Sequence, residues 1–275
     1  LLSKRKQADW IVTGRYGMYF ALLQGLIPWG RKRLLLLDVE WYGDHKTTIA
    51  RAIKNAMHRY MAKGSYRISV FCRIEGVRYS QYYNIPQSKF AWLPYVSNAD
   101  RCDFELKEDD YIFTGGLHHR YYETLYYAVK DIPINVVVVA PKESIAKSFI
   151  SANMTVTGEV SSEQYYRFMA KAKIVVLSLE PGLRRCPGII TYVTAMKLGK
   201  AVIVNEMEGA SDYIQNGING ILVNPKDAYN LRSAILNLLH DDELRKVIGD
   251  NAYSYASSEL STSRLYKDLN RLLSE

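Results

Sequence analysis

Cysteine is scarce in this sequence, which has Cys72, Cys102 and Cys186 among 275 residues. Because their number is odd and their spacing matches no metal-binding pattern, a disulfide framework and a zinc site are excluded as organising features. The sequence also has no G-x-G-x-x-G dinucleotide fingerprint, no internal repeat and no low-complexity segment. These absences leave an ordinary globular protein, and we expect a reduced, cytoplasmic compartment.

Hydrophobic runs of membrane-spanning length are absent as well. The stretch Tyr16 to Gly30 carries no charge, but it is shorter than the roughly 20 residues that a spanning helix needs. Arg31, Lys32 and Arg33 follow it, and two interpretations stay open. One is a helix lying in the membrane interface with an aromatic and basic border. The other, which we favour, is a buried helix packed on a sheet.

Charge is distributed unevenly along the chain. Residues 1–100 carry 16 Lys and Arg against 6 Asp and Glu, a net charge of +10, whereas residues 101–275 carry 20 against 22, a net charge of −2. This asymmetry predicts two domains with different partners. The basic half suits nucleic acid, an anionic membrane surface or a phosphate-bearing substrate. Nucleic acid ranks last among these partners, because no recognition motif for it is present.

Acidic residues follow a predicted strand in the first half. Leu34 to Leu37 is an apolar run that predicts a buried parallel strand. Asp38 and Glu40 come after its carboxyl end, the edge that faces the ligand crevice in open α/β sheets. Carboxylates there can act as a general base or orient a sugar hydroxyl. A solvated acidic loop is an alternative of equal weight.

A second series of strands and helices follows the polar segment 98–110, which we predict to be a linker. Tyr111 to Thr114 is a predicted strand, and Gly115, Gly116 and then Arg120 come after it. A glycine pair lets the backbone approach a ligand, and an arginine donates a fork of hydrogen bonds to a phosphate. Strands and helices alternate in both halves, so the predicted fold class is α/β with parallel sheets.

The stretch from Pro187 to Val204 organises the second half. It predicts a loop, a helix that begins at Gly188 and a short buried strand. The amino terminus of a helix offers free N–H groups and a partial positive charge, which suit a diphosphate. Glu180, Arg184 and Arg185 lie just before this helix in the sequence. An ordinary αβ unit with nothing bound is the alternative.

Several motifs together carry a resemblance to a known family. They are A-M-K-L-G-K-A-V-I-V at Ala195 to Val204, N-G-I-N-G-I-L-V-N-P at Asn216 to Pro225, and Tyr111 to Gly116 with Arg120. These segments resemble the donor half of a family 4 type glycosyltransferase of the GT-B fold (glycosyl transferases group 1). The resemblance implies two Rossmann-like domains facing across a cleft. It also implies a nucleotide-sugar donor held by the second domain, and transfer without an obligatory metal or any further cofactor.

The family's functional positions carry over unevenly. Gly116 stands where the family has an arginine, so Arg120 is left for the phosphate role. The family's two glutamates align with Cys186 and Thr194, of which Thr194 can still bond a ribose. Glu180 replaces the first glutamate only if its loop folds back. The catalytic candidates are Asp38, Glu40 and Glu180. The donor-binding candidates are Gly115, Gly116, Arg120, Glu159, Val160, Arg184, Arg185, Gly188, Ile189, Ile190, Thr191 and Thr194. Of these, Glu159 and Val160 lie where the family contacts the base of the nucleotide.

The resemblance also implies how the chain is divided and what it does. We expect a partial acceptor-side domain at 1–97, the linker at 98–110, a donor-binding domain at 111–259 and a terminal helix at 260–275. The first domain starts at what resembles a middle strand, so we expect it to be truncated. The predicted function is sugar transfer, with retention, from a nucleoside-diphosphate sugar to a glycan, lipid-phosphate or small-molecule acceptor in polysaccharide biosynthesis.

Location and catalytic competence are further expectations. We expect a cytoplasmic protein, peripheral on the inner face of the membrane through its basic N-terminal half. The missing glutamates leave one alternative, a non-catalytic relative that binds a nucleotide or glycan as a partner subunit.

Overall fold

The computed structural model describes residues 10–27, 34–37, 41, 47–100, 103–104, 107–182 and 186–274. The chain divides into an N-terminal unit, Leu1–Pro94 with Leu265–Glu275, and a C-terminal unit, Tyr95–Arg264. Each unit has its own parallel sheet, which confirms the predicted α/β class. None of the helices in the described residues combines the length and apolar character that a membrane span requires.

The N-terminal unit contains a four-stranded sheet in the order β1-β2-β3-β4. Every strand pair in it is parallel. Its elements are β1 (Trp10–Thr13), α1 (Gly14–Leu26), β2 (Leu34–Leu37), α2 (Thr48–Gly64), β3 (Arg67–Val70), α3 (Arg73–Tyr83) and β4 (Phe90–Trp92).

The C-terminal unit contains a six-stranded parallel sheet in the order β10-β9-β8-β5-β6-β7. Its elements are β5 (Tyr111–Gly115), α4 (Tyr122–Val129), β6 (Asn135–Val139), β7 (Met154–Val156), α5 (Ser162–Lys171), β8 (Ile174–Leu177), α6 (Ile189–Lys197), β9 (Ala201–Asn205), β10 (Ile221–Val223), α7 (Ala228–His240) and α8 (Asp242–Glu259). The last helix, α9 (Thr262–Ser274), begins here and continues into the N-terminal unit.

The leucine run of β2 is buried on both faces of its sheet, as its sequence predicts. Leu34 and Leu36 lie in a core formed with residues of α1 and α2. Leu35 lies on the opposite face, where it packs with Leu269 of α9. Because successive side chains of a strand alternate between faces, a strand with helices on both sides needs a continuous apolar run.

Helix α1 packs on its sheet, as the favoured interpretation of its stretch predicts, but it is buried on one face only. One face is buried, at Gly17, Phe20, Ala21, Gln24 and Gly25. The outer face is apolar and yet exposed, at Tyr16, Tyr19, Leu23 and Leu26. The helix packs against α2 through glycines, because a Cβ at Gly25 would collide with the carbonyl of Tyr60. The described elements cover only one side of α1.

Ion pairs bind the predicted linker to the C-terminal unit at Asp100 and Glu108. The Asp100 carboxylate lies 2.9 Å from Nζ of Lys197. The Glu108 carboxylate lies 2.9 Å from Nζ of Lys200 and 3.2 Å from Nη2 of Arg245. Burial lowers the pKa of Lys200, and the adjacent Glu108 carboxylate opposes that shift. These ion pairs anchor both ends of the segment to its own unit.

Candidate functional site

Two loops meet at the carboxyl edge of the C-terminal sheet. Strands β5 and β8 are parallel neighbours, so the loops that follow them leave the same edge. The Tyr121 N–H donates to the Ser178 carbonyl at 2.9 Å, and the Glu180 N–H donates to the His119 carbonyl at 3.0 Å. These hydrogen bonds hold the glycine loop after β5 beside the segment that leads to α6.

Helix α6 begins beside these loops, as the sequence predicts. Gly188 is its N-cap residue and has a left-handed backbone with φ of 76°. A side chain here would be strained and would also press on Leu177 and Leu179. The N–H groups of Ile189, Ile190 and Thr191 lie in the first turn, where a helix has no internal acceptor for them. The start of α6 therefore presents donors and a partial positive charge.

The guanidinium of Arg120 connects the glycine loop to α6. Its Nε donates to the Gly115 carbonyl at 2.8 Å, and Nη1 donates to the His118 carbonyl at 2.9 Å. Nη2 donates to Oγ1 of Thr191 in the first turn of α6 at 3.2 Å. The Thr191 hydroxyl also lies 3.1 Å from the Tyr165 hydroxyl of α5. We call these residues, together with Gly116, the Arg120 cluster.

Gly116 leaves the space in which this guanidinium lies. Its φ of 130° is one that side chains rarely adopt. A Cβ built on Gly116 would collide with the guanidinium of Arg120. The charged group therefore occupies the place that a side chain at position 116 would take.

The charge of Arg120 has only neutral partners in the described part of the chain, where no carboxylate pairs with it. Burial of the guanidinium lowers the pKa of Arg120, and the neighbouring phenol of Tyr165 opposes that shift. Burial raises the pKa of Tyr165, so its phenol stays neutral at physiological pH. A cation that is half-buried without a counter-ion loses part of its hydration without a compensating charge. An anion bound at the start of α6 would supply that charge.

The other predicted site residues lie around this cluster or outside the described residues. Glu180 is exposed, with its carboxylate 3.4 Å from Nδ1 of His119. Glu159 is exposed and Val160 is half-buried, on the loop between β7 and α5. The remaining four candidates, namely Asp38, Glu40, Arg184 and Arg185, lie outside the described residues.

Thr194 has a hydrogen-bonding partner within the chain. Its side chain is 1% exposed. Its hydroxyl lies 2.9 Å from the hydroxyl of Ser97, which precedes the linker segment. In this arrangement the Thr194 hydroxyl is buried and bonded to Ser97, so the ribose contact expected of Thr194 stays a prediction.

Sequence reasoning missed Tyr165 and Asn205. The buried Asn205 ends β9, and its side-chain oxygen accepts the N–H of Leu179 at 2.5 Å. Its amide donates to the carbonyls of Val223 at 3.4 Å and Asn224 at 3.3 Å. A polar residue that ends an apolar strand was a signal that could have found Asn205. Tyr165 gave no signal, because it belongs to an amphipathic helix rich in tyrosine.

The family match decides what kind of protein carries this cluster. Residues 106–255 match the model of the family described as glycosyl transferases group 1. This match covers more than half of the chain and contains the whole Arg120 cluster. The chain belongs to this family.

Relatives in the family are distant and longer. An uncharacterised glycosyltransferase of Methanocaldococcus jannaschii is 25% identical over 191 residues, which are 64% of this chain and 53% of that protein. Alpha-D-kanosaminyltransferase of Streptomyces kanamyceticus is 27% identical over 110 residues, which are 40% of this chain and 28% of that protein. The chain thus spans about half or less of these curated relatives.

Solved structures with a similar fold include a protein titled as a glycosyltransferase. The Anabaena protein Alr3699/HepE in complex with UDP has a TM-score of 0.74 at 14% identity, covering 99% of this chain and 80% of that one. A glycosyltransferase from Rickettsia africae has a TM-score of 0.71 at 17% identity, covering 98% and 78%. At these identities the likeness concerns the fold alone, and it confirms the predicted GT-B class.

Proposed function

We propose that the chain binds a nucleoside-diphosphate sugar and transfers the sugar to an acceptor. One observation carries this proposal, namely the half-buried guanidinium of Arg120, which lies against the first turn of α6 and has only neutral partners in the described residues. A diphosphate would accept hydrogen bonds from this guanidinium and from the free N–H groups of Ile189 and Ile190. Family membership indicates the class of reaction, because the family consists of glycosyltransferases.

The chemical contribution of the cluster is electrostatic. Cleavage of the bond between sugar and diphosphate leaves additional negative charge on the departing nucleoside diphosphate. Fixed donors that already point at this position stabilise the developing charge without reorganising. Arg120 is fixed by two backbone carbonyls and by Thr191, so its guanidinium needs no reorientation when charge develops. Arg184 and Arg185 are proposed to supply further positive charge that stabilises the departing diphosphate.

The finer features of the reaction are proposals from the family resemblance. We propose family 4 type chemistry with retention at the anomeric carbon, and a glycan, lipid-phosphate or small molecule as acceptor. Glu180 is proposed to act near the sugar, and Asp38 or Glu40 to orient the acceptor. We propose that the basic N-terminal unit meets the acceptor at the surface of a membrane.

A non-catalytic relative that binds a nucleotide or glycan as a partner subunit is the second candidate. It is favoured by the absence of glutamate at positions 186 and 194, and by the engagement of Thr194 with Ser97. Sugar release from UDP-glucose, with or without an added acceptor, separates the two candidates. NMR assignment of the product anomer would then distinguish retention from inversion.

Calorimetric titration with UDP, GDP, ADP and NAD tests the donor site directly. UDP comes first, because the similar Anabaena protein was solved with UDP. We expect one nucleoside diphosphate to bind saturably and Arg120→Ala to weaken it by roughly tenfold to a hundredfold, the size of a charged hydrogen bond.

The matched control is Arg167→Ala. Arg167 is an exposed arginine of α5 that pairs with Glu163 at 2.7 Å. Its removal tests the effect of lost charge at a distance from the cluster, and we expect unchanged affinity. Full nucleotide affinity in a folded Arg120→Ala protein would contradict the assigned site.

A further inference from the structure

The outer face of the α1–α2 pair is apolar, exposed and basic at once. Along α1 the side chains of Tyr16, Tyr19, Leu23 and Leu26 follow the spacing of one helical face, with exposures of 86%, 51%, 49% and 56%. In α2 the side chains of Ile49, Ile53 and Tyr60 repeat this pattern, with exposures of 74%, 65% and 41%. We call these residues the apolar stripes.

Both stripes lie on the same side of the N-terminal unit. Phe20 of α1 and Met61 of α2 are buried in one core with Leu34 and Leu36, so both helices cover the same face of the sheet. The close approach of the helices at Gly25 and Gly64 keeps them side by side. Their outer faces therefore form one continuous surface.

The charged residues of helices α1 and α2 themselves have a single sign. Helices α1 and α2 contain Arg15, Arg51, Lys54, Arg59 and Lys63, and neither helix contains Asp or Glu. Arg15, Arg51, Arg59 and Lys63 are exposed, and Lys54 is half-buried. Cationic side chains beside an apolar stripe of tyrosine, leucine and isoleucine are the pattern of a helix lying in a membrane interface.

We propose that the outer face of α1 and α2 docks on an anionic lipid bilayer. Charge complementarity selects this occupant over a second copy of the chain, because two copies meeting through this face would oppose cations to cations. The inference deepens the proposed function and rests on it for the acceptor, since a lipid-phosphate acceptor would be held in such a bilayer. The apolar stripes would enter the headgroup region while the basic side chains contact the lipid phosphates.

Flotation with lipid vesicles tests the proposal. The purified chain is mixed with vesicles of phosphatidylcholine alone, or of phosphatidylcholine with phosphatidylglycerol. We expect binding to the anionic vesicles, weaker binding to the neutral ones, and a decline as salt is raised. Leu23→Gln with Ile53→Gln should weaken partitioning by about tenfold or more, because each apolar side chain leaves the lipid. Arg51→Gln with Lys54→Gln should weaken it about fivefold per charge.

Matched controls lie on the C-terminal unit. Ile218→Gln removes an apolar side chain of similar exposure, 53%. Lys142→Gln with Lys147→Gln removes two exposed cations. We expect these variants to bind vesicles as the parent chain does. Circular dichroism spectra confirm that every variant is folded.

Three outcomes would overturn the proposal. In the first, the folded chain fails to float with anionic vesicles. In the second, all variants float equally. In the third, the chain self-associates without binding vesicles, and Leu23→Gln with Ile53→Gln abolishes the association. The last result would make the face a contact between copies. Titration of the same samples with UDP keeps the two proposals apart. Intact UDP binding without flotation contradicts the membrane face alone, and flotation without nucleotide binding contradicts the proposed donor site alone.

Discussion

Helices α1 and α6 are both rich in apolar residues and both follow a strand of a parallel sheet, yet they are covered very differently. Helix α6 buries eight of its nine residues, with only Ile190 exposed. Helix α1 buries five of its 13 residues. The difference lies in their neighbours, because α6 touches α5, α8 and its sheet, whereas α1 touches α2 and its sheet. Apolar composition predicts that a helix has a buried side, but it does not tell how many sides are covered.

The largest effect is expected from a substitution that breaks the packing of α1, the less covered helix. In Gly25→Leu, the added side chain must displace the backbone of Tyr60, so α1 and α2 can no longer approach. We expect a loss of about 3 kcal/mol or more in the free energy of unfolding. Urea denaturation followed by circular dichroism measures it. Ala56→Leu, at an exposed position of α2, should change stability by no more than about 0.5 kcal/mol. Equal effects of the two variants would show that the helices are not in close contact.

A comparable test in the C-terminal unit, which contains the more covered helix α6, removes a partner of two ion pairs. Glu108→Ala removes the carboxylate that joins Lys200 and Arg245. Lys200 thereby loses its ion pair, while Arg245 keeps its pair with Asp242 at 2.6 Å. The side chains of Lys200 and Arg245 are only 5% and 9% exposed, so we expect a loss of roughly 2–3 kcal/mol. Glu163→Ala breaks an exposed pair with Arg167 and should cost less than about 0.5 kcal/mol. Denaturant midpoints compare the two variants. A small effect of Glu108→Ala would mean that solvent replaces the carboxylate.

A change at Gly116 should affect the proposed site while leaving the rest of the C-terminal unit intact. In Gly116→Ala the methyl group must displace the Arg120 guanidinium. We expect UDP affinity to fall about tenfold, the lower range for a lost charged hydrogen bond. The double variant Gly116→Ala with Arg120→Ala should lose no more affinity than Arg120→Ala alone, because both changes affect the same interaction.

The control for backbone strain in this experiment is Gly217→Ala. Gly217 also has a positive φ, of 78°, and a methyl group there would have no described atom within 4 Å outside its chain neighbours. We expect UDP titration of this variant to match the parent chain. Additive losses in Gly116→Ala with Arg120→Ala would contradict the idea that the guanidinium fills the space at position 116.

The smallest expected effect is a pH dependence in the N-terminal unit. Burial, followed by the neighbouring Tyr82, raises the pKa of Tyr83 to about 12. Its phenol donates to the Trp41 carbonyl at 2.9 Å. Because the unfolded chain loses this proton near pH 10, the stabilisation is complete below pH 10 and is lost as the pH rises towards about 12. Unfolding free energies across this range should fall more steeply for the parent chain than for Tyr83→Phe. Parallel curves would show that the Tyr83 phenol ionises normally.

Local signals in the sequence determined most of the elements. The apolar runs Leu34–Leu37 and Ala201–Val204 predicted buried strands, and both were found. Gly188 predicted the start of α6. Residues within a few positions of each other decide these features, through side-chain periodicity and turn conformation. The charge asymmetry between the halves was likewise a property of the sequence alone.

Only the tertiary structure decided which side chains meet and which faces remain open. Arg120 reaches Thr191 across 71 positions of the chain, and Thr194 is engaged by Ser97 across 97. No local pattern distinguishes the exposed Leu23 of α1 from the buried apolar residues of α6. Burial and hydrogen-bond partners depend on segments that are distant in sequence, so only the assembled fold determines these contacts.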